Sequence, residues 1–353
     1  MKMHSLANME EVVVFGKGVG ESILLHIKGD KWIVIDSFVD PVSKTPIALE
    51  YMKHKGVDTR KIIGMVCTHW DDDHIHGIAD IIAQSERSLP FVLPISLTNE
   101  RVKQYIADNT DKEIGKISEF QKVLKQRKQG KCELYWAQSD RILLGQETAG
   151  SNIVLKALSP NDKQYEAFLQ SIVLAEANQE KKRQSSNENI VSIVIHVKTD
   201  SETFLLGGDL ENSSIGGWRD ICDSYYEISR SRIFKIPHHG SSTAYYEDVW
   251  KKIVEMPISI ITRFNRSHLP KREMVQKIVN HSWRTFVIGP KPKKDKQLIR
   301  VINKSKASIK DIKSFECKCG YVRLYKTNHN SEWEEEVSGE VNVYHNGENV
   351  GDW

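Results

Sequence analysis

THWDDDHIHG, residues 68–77, follows directly on the apolar run KIIGMVC, residues 61–67. From His69 to His74, five of the six side chains are acids or imidazoles. Groups so crowded repel one another unless water, a basic partner or a metal ion sits among them. KIIGMVC has the length and continuous apolarity of a strand buried in a sheet, so the aspartates are expected on a loop at that sheet's edge. His69, Asp71 and Asp73 alternate. On an extended segment alternate side chains share one side, and His74 approaches from the turn into the next helix. Imidazole nitrogen and carboxylate oxygen are ordinary ligands for zinc and manganese. A solvated acidic loop would explain three aspartates alone, and the calcium-loop spacing D-x-D-x-D-G is missing. Two further segments tilt the balance. FLLGGDL places Asp209 after a second apolar strand, and IFKIPHHGSS places His238 and His239 after a third.

The rest of the chain sets the frame for these strand ends. Its 353 residues, 39% hydrophobic and 27% charged, suit a globular core and exclude a disordered or membranous chain. No apolar stretch reaches the length of a membrane span, and the N-terminus reads without a secretion signal. Five cysteines (67, 132, 222, 317 and 319) are an odd, sparse set, expected as reduced thiols in a cytoplasmic protein. The net charge of +3 decides nothing, but its distribution is uneven. Lys291 to Lys313 holds nine Lys or Arg against two Asp, and Glu332 to Trp353 holds seven acids and no Lys or Arg. Two solvated surfaces account for this. So would a basic strip for a polyanion and an acidic tail that covers it.

Strands open the chain: EVVVFGKG, SILLHIKG and KWIVIDSF read as a meander. PIALEYMKHKGV reads as a helix ending at Gly56, and HGIADIIAQ as another. FVLPISL, KCELYWAQ, RILLG, IVLKALSP, IVSIVIHVKTD, TFLLGGDL, RIFKIPHHGS, PISIITRF and TFVIG are further strands. AYYEDVWKKIV is expected as a helix containing Tyr245, Tyr246 and Trp250, as core residues or as platforms that stack bases. Asn99–Gln129 and Asn161–Ser186 read as polar helical insertions that frame a cleft or hold a partner protein. Cys317 and Cys319 read as strand residues. The mixture of hairpins and alternating helices predicts an α/β (α+β) chain with a mixed sheet pair and helices outside, rather than a doubly wound parallel sheet.

The order IVIDSF, THWDDDHIHG, LSP, NIVSIVIHV, FLLGGD, KIPHHGSS, RFNRSHLP resembles the metallo-β-lactamase fold over Val12 to Gly289. More narrowly, it resembles the soluble hydrolase domain of ComEC-type DNA-uptake proteins and their stand-alone relatives. The resemblance implies an αββα metallo-β-lactamase sandwich over residues 10–290, with 291–353 as a C-terminal extension. It implies a two-metal site: His69 and Asp71 on the first ion, Asp73 and His74 on the second, Asp209 bridging, and His239 completing the second while His238 faces substrate. Most members add a His to the first ion just before the strand preceding Asp209. Here that stretch reads SSNENIVS, with Asn189 and Ser192, so the first site is oxygen-rich and suits manganese or magnesium more than zinc. His76 stands where the family has Gly, as a substrate contact or a half-exposed helix-start residue.

The implied chemistry is hydrolysis of a phosphodiester by water activated between two divalent ions, Mn2+, Zn2+ or Mg2+. Asp73 orients the nucleophile, and His238 and His268 are candidates to protonate the leaving oxygen. Arg263, Arg266, Lys271 and Arg272 around His268 are candidates to neutralise phosphates, making DNA the favoured substrate. A small-molecule phosphodiesterase, a lactam hydrolase and a catalytically silent regulatory protein are the alternatives.

Overall fold

The computed structural model describes residues 9–27, 29–109, 116–148, 151–177, 188–214, 216–224, 230–291, 293–294, 313–314, 319–327 and 332–351. Most of the basic strip after Lys291, Cys317 and the stretch 178–187 lie outside them. Strands β1 (Glu10–Gly16), β2 (Glu21–Ile27) and β3 (Lys31–Ile35) form the expected meander, followed by α1 (Ile47–His54) and β4 (Ile62–Val66). Next come α2 (Asp72–Ile75), α3 (Ile78–Ala83), β5 (Leu89–Pro94), α4 (Glu100–Asn109), α5 (Lys116–Lys128) and β6 (Cys132–Ala137). The second half holds β7 (Ile142–Thr148), β8 (Ser151–Ala157), α6 (Asp162–Ala177), β9 (Ile195–Lys198), β10 (Thr203–Leu206), α7 (Trp218–Ser224) and β11 (Ser231–Lys235). It continues through α8 (Glu247–Lys252), β12 (Val254–Thr262), α9 (Arg272–His281) and β13 (Arg284–Ile288). The short β14 (Lys293–Lys294) and β15 (Lys313–Ser314) pair with each other, and β16 (Gly320–Lys326), β17 (Glu334–Ser338) and β18 (Val341–His345) close the chain.

Two eight-stranded sheets result, in the orders β17-β16-β1-β2-β3-β4-β5-β6 and β18-β13-β12-β11-β10-β9-β8-β7. Period-2 alternation builds the layers. Val12 and Val14 face the second sheet, together with Ile23, Leu25, Ile33 and Ile35, and meet Ile195, Val197, Ile233, Ile260 and Phe286. Their neighbours Val13, Phe15, Leu24 and Val34 face the other way, onto α1, α3, α5 and α6. On the second sheet Leu205, Phe234, Ile261 and Val287 face outward onto α7, α8 and α9. Three apolar layers between four structural layers make an αββα sandwich, the architecture expected from the sequence.

Several elements depart from expectation. The helix in AYYEDVWKKIV starts at Glu247, with Tyr246 extended as its cap (φ −138°, ψ 121°), so the helical spacing of the tyrosines is not used. Tyr246 and Trp250 still pack on the outer core of the second sheet, which supports their core reading over base stacking. IVSIVIHVKTD yields a strand only over Ile195–Lys198. The insertions are part of the core rather than loose flaps. Val102 of α4, Val123 of α5 and Phe168 and Ile172 of α6 are buried in the first apolar layer. Buried Glu119 of α5 accepts the Ala79 N–H at the start of α3 at 2.8 Å.

Of the segment after 290, expected as an extension, β14 and β15 form a small sheet of their own, while β16, β17 and β18 are built into the two large sheets. β16 pairs with β1 along its whole length, β17 pairs with β16, and β18 pairs with β13. The chain crosses from the edge of one sheet to the edge of the other at the Ser338–Val341 turn, and Arg284 of β13 meets Glu335 of β17 at 2.6 Å across the two sheets.

A candidate metal centre

The site forms where the parallel strands end. β3 and β4 run parallel in one sheet, and β10, β11 and β12 run parallel in the other. Their carboxyl ends deliver Asp36, the 68–74 loop, Asp209, His238–His239 and Thr262 to one edge, where open α/β sheets commonly bind ligands. β2 runs antiparallel to β3, so its first residue, Glu21, lies at the same edge.

Extended alternation in the aspartate loop stops at Asp71 (φ −106°, ψ 151°), which caps α2. Asp73 and His74 therefore come from a helical turn rather than from the continued strand. Carboxylates are favoured there, because the first turn exposes unpaired N–H groups and the positive end of the helix dipole. Asp209 follows Gly208, whose φ is +51° and whose added Cβ would lie 2.6 Å from Ser192 Oγ and 2.7 Å from the Ile193 carbonyl oxygen. Only glycine fits, and Ser192 Oγ accepts the Asp209 N–H at 3.0 Å. Ser192, in the stretch where the sequence offers no histidine, thus holds the acid's backbone. His238 and His239 both adopt positive φ (44° and 52°), a local backbone strain.

Segments distant in sequence converge. His74 Nε2 lies 3.4 Å from Asp73 Oδ2 and 3.6 Å from Asp209 Oδ2. His239 Nε2 lies 3.3 Å and 3.5 Å from the same two oxygens. Asp73, His74, Asp209 and His239 each offer a ligand atom, all within 4.8 Å of one another. On the flank His69 Nε2 lies 3.6 Å from Asp71 Oδ2 and 3.9 Å from Asp209 Oδ2. The Nε2 atoms of His69, His74 and His239, with Asp209 Oδ1, are buried without a hydrogen-bond partner. Buried polar atoms are almost always paired, so three orphaned imidazole nitrogens within 4 Å of one Asp209 oxygen, with the other oxygen of that carboxylate also unpartnered, fit a cation there. The inner set has two nitrogens and two carboxylates; the flanking set has one imidazole, Asp71 and a share of Asp209.

Hydrogen bonds behind the rings decide which nitrogen faces inward. His74 Nδ1 lies 2.8 Å from Asp36 Oδ2, and a carboxylate there requires Nδ1–H. Asp36 also accepts the Thr68 N–H and the Thr68 hydroxyl, each at 2.6 Å. The Thr68 hydroxyl has spent its only proton on Asp36, so it can only accept from His69 Nδ1, 3.1 Å away. Both rings therefore present a lone pair at Nε2 when neutral.

The electrostatics are those of a crowded carboxylate–imidazole cluster. Burial favours neutral carboxyl groups, yet the adjoining imidazoles hold Asp73 and Asp209 well below the usual carboxylate range. Burial works against a charged His74, but Asp73, Asp209 and Asp36 outweigh it and raise its pKa well above the ordinary value. Burial, then the His74 charge, lowers His69. A proton on His74 competes with a cation for Nε2. Below the raised pKa of His74, affinity for a divalent ion is expected to rise about tenfold per pH unit, with a proton released into a weakly buffered solution on binding. Titration of the metal at pH 6, 7 and 8 reads this, and a pH-independent affinity contradicts it.

His238 points away from the inner set. Its Nδ1 lies 2.7 Å from Glu211 Oε1 and its Nε2 3.4 Å from Asn189 Nδ2. Burial disfavours its charge, but the Glu211 hydrogen bond and the Asp209 and Asp73 fields raise its pKa overall. His268 sits exposed on the 265–268 turn, without a hydrogen bond or ion pair to the cluster among the described residues. Phe264, at the base of that turn, stacks on the His239 ring with centroids 5.0 Å apart. Of the expected phosphate-binding cations, Arg263 is buried and bonds Asn342 at 3.2 Å, because the C-terminal strand covers it; Arg266, Lys271 and Arg272 are exposed. His76 is half-buried at the end of α2, and its carbonyl accepts from Ser37 Oγ at 2.8 Å. Glu21, Asp36 and Glu211 were not singled out from the sequence. Asp36 follows an apolar strand as Asp209 does, and that signal could have found it.

No protein-family model matches the chain, and no curated protein matches its sequence. Solved structures do match, metallo-β-lactamase fold proteins among them. The metallo-β-lactamase fold protein YhfI from Bacillus subtilis is 12% identical, covering 64% of this chain and 70% of that one, with a TM-score of 0.33. The Cronobacter sakazakii metallo-β-lactamase with a HARLDQ motif is 13% identical over 63% and 76% of the chains, with a TM-score of 0.36. MEM-A1, a subclass B3 metallo-β-lactamase from a soil metagenome library, is 9% identical over 67% and 80%, with a TM-score of 0.38. This chain is itself a mixed α/β protein of two sheets with helices.

Proposed function

We propose that this protein is a metal-dependent hydrolase that cuts phosphodiester bonds in DNA. The observation that carries the reading is the convergence of three unpaired imidazole nitrogens and the Asp73 and Asp209 carboxylates at one sheet edge. His74, His239, Asp73 and Asp209 would hold one divalent ion. His69 and Asp71, sharing Asp209, would hold a second and weaker one, for which the oxygen-rich set favours manganese over zinc. Bound there, such ions would supply Lewis acidity toward phosphoryl oxygens and acidify a water molecule.

The chain's own groups do the rest. Asp73 orients the nucleophile's side of the site. His238, whose pKa is raised, would act as the imidazolium: Nδ1–H stays directed at Glu211, Nε2–H gives its proton to the leaving oxygen, and the ring is left neutral. Exposed Arg266, Lys271 and Arg272 flank the Phe264 turn and suit successive phosphates of a polyanion. The four described cysteines are free thiols, which supports a reducing, cytoplasmic setting. Among the described residues no helix is long and apolar enough to cross a membrane.

The test uses labelled single- and double-stranded DNA, RNA and a chromogenic bis-phosphodiester, with manganese, magnesium and zinc supplied separately. DNA cleavage in manganese is expected, falling about 100-fold or more in His238→Ala, the usual scale for a lost general acid. His268→Ala, which touches none of the cluster, is expected to change the rate far less. Turnover of the chromogen alone would make this a small-molecule phosphodiesterase, and cleavage of nothing would make it a binding protein.

A further inference from the structure

The interior between the two sheets is apolar until its rim, where it holds a buried ion pair. Parity places Glu21 on the inward face of β2 with Ile23, and Lys235 on the inward face of β11 with Ile233. Both side chains are 1% exposed, and Lys235 Nζ is in direct contact with Glu21 Oε2. A buried pair of this kind adds little net stability, because desolvation of both charges offsets their attraction. Its neighbours suggest what else it does. The Thr262 hydroxyl donates to the same Glu21 Oε2 at 2.6 Å. That oxygen of Thr262 lies 2.9 Å from His239 Nδ1, and the Thr262 carbonyl oxygen lies 3.2 Å from it.

We infer that Glu21, in contact with Lys235 and accepting from Thr262, is a positioning residue. Acting through Thr262, it fixes His239 in its Nδ1–H tautomer with the Nε2 lone pair toward Asp73 and Asp209. The proton count is closed. Glu21 is in contact with the Lys235 ammonium and accepts from Thr262; Thr262 has one proton and gives it to Glu21; its hydroxyl oxygen, beside its carbonyl oxygen, then accepts from Nδ1–H. This arm is built like the Asp36–Thr68–His69 arm on the other side, with a carboxylate, a threonine and an imidazole in series. Here the carboxylate sits on β2 and the hydroxyl on β12, so the arm spans both sheets. Outer partners of this type typically govern metal affinity by about 10- to 100-fold.

The inference rests on the metal reading of the site, so its test includes a readout that needs no metal. In chelator-treated, histidine-labelled protein, nitrogen NMR assigned with His239→Asn reports the tautomer of the neutral ring directly. The Nδ1–H form is expected in the wild type and in Thr262→Ser, and an altered tautomer mixture in Thr262→Val and in the double variant Glu21→Leu, Lys235→Met. Chelator competition with Mn2+ is expected to show about a 10- to 100-fold loss of affinity in those last two proteins and near wild-type binding in Thr262→Ser. Thr262→Val is nearly isosteric, so it keeps the test open should the double variant fail to fold. An Nε2–H ring in the wild type, or unchanged tautomer and affinity in folded Thr262→Val, overturns the inference. A wild type that holds the Nδ1–H tautomer yet takes up no Mn2+ overturns the metal reading instead and leaves the arm standing.

Discussion

Asp209→Ala protein is expected to lose its tight divalent-ion binding, with activity falling at least about 100-fold and no metal-dependent rise in melting temperature. The reason is geometric. Among the described residues, Asp209 Oδ2 is the carboxylate oxygen within 4 Å of all three inward-facing imidazole nitrogens, at 3.9 Å from His69, 3.6 Å from His74 and 3.5 Å from His239. It is shared between the inner and flanking donor sets, so its removal weakens both at once. Ligand loss at Asp71 touches only the flank, and Asp71 is a third exposed, with 33% side-chain accessibility. Wild-type protein at a metal concentration of about 100 times Kd gains about 2.7 kcal/mol from binding, several degrees in Tm for a domain of this size. Calorimetric scans with and without Mn2+ read both halves of the expectation. A metal-dependent shift equal to the wild type in Asp209→Ala would mean that the ion binds elsewhere.

Truncation after Lys326 is expected to yield protein that is unfolded or aggregated. The acidic tail could be imagined as a cover over a basic face, in which case its removal would leave a folded and more active enzyme. Its contacts argue otherwise. β17 and β18 are the edge strands of the two sheets, and losing them bares β16 and β13 as open edges. Tyr344 and Val350, buried in the outer core of the second sheet, would go with them. Val322, Leu324, Phe286 and Ile288, on the strands next to the cut, would lose cover between the sheets. Exposing this many apolar side chains costs about 5–10 kcal/mol, comparable to the whole stability of a typical domain. The charges are structural too. Glu336 bonds Arg323 at 2.8 Å and Tyr321 at 2.6 Å and lies 3.1 Å from Lys55, and these partners pull its pKa down to about 2 despite burial. Yield in the soluble fraction and far-UV circular dichroism decide the matter. Soluble, cooperatively folding truncated protein would contradict it.

The strands were legible because their apolar residues alternate or run continuously, and the ligand segments because each follows such a strand. The logic of acids and histidines at strand ends reached Asp209, the His238–His239 pair and the aspartate loop; the choice of His239 as the ligand came from the family resemblance. Three things were hidden, each for a physical reason. The C-terminal segment looks like a solvated tail, since β17 holds three acids in a row; only the pairing of β16 with β1 and of β18 with β13, far back in the chain, draws it into the sheets. Arg263 reads as a surface cation, and its burial depends on Asn342, 79 residues away. Glu21 lies 241 residues from Thr262 and reads as an ordinary polar end of a strand. Its parity with Ile23 and Leu25, which points it into the sheet interior, was the available signal. Asp73 shows the opposite error: its place in the cluster is reached through a helical turn rather than through strand alternation.

The central claim is that the buried, unpaired donors at the sheet edge are a cation site. Calorimetric titration of chelator-treated protein with Mn2+, run alongside Asp209→Ala, tests it most directly. A tight first ion and a weaker second ion per chain are expected, both lost in the variant. Absence of uptake by the wild type, or identical uptake by the variant, would contradict it.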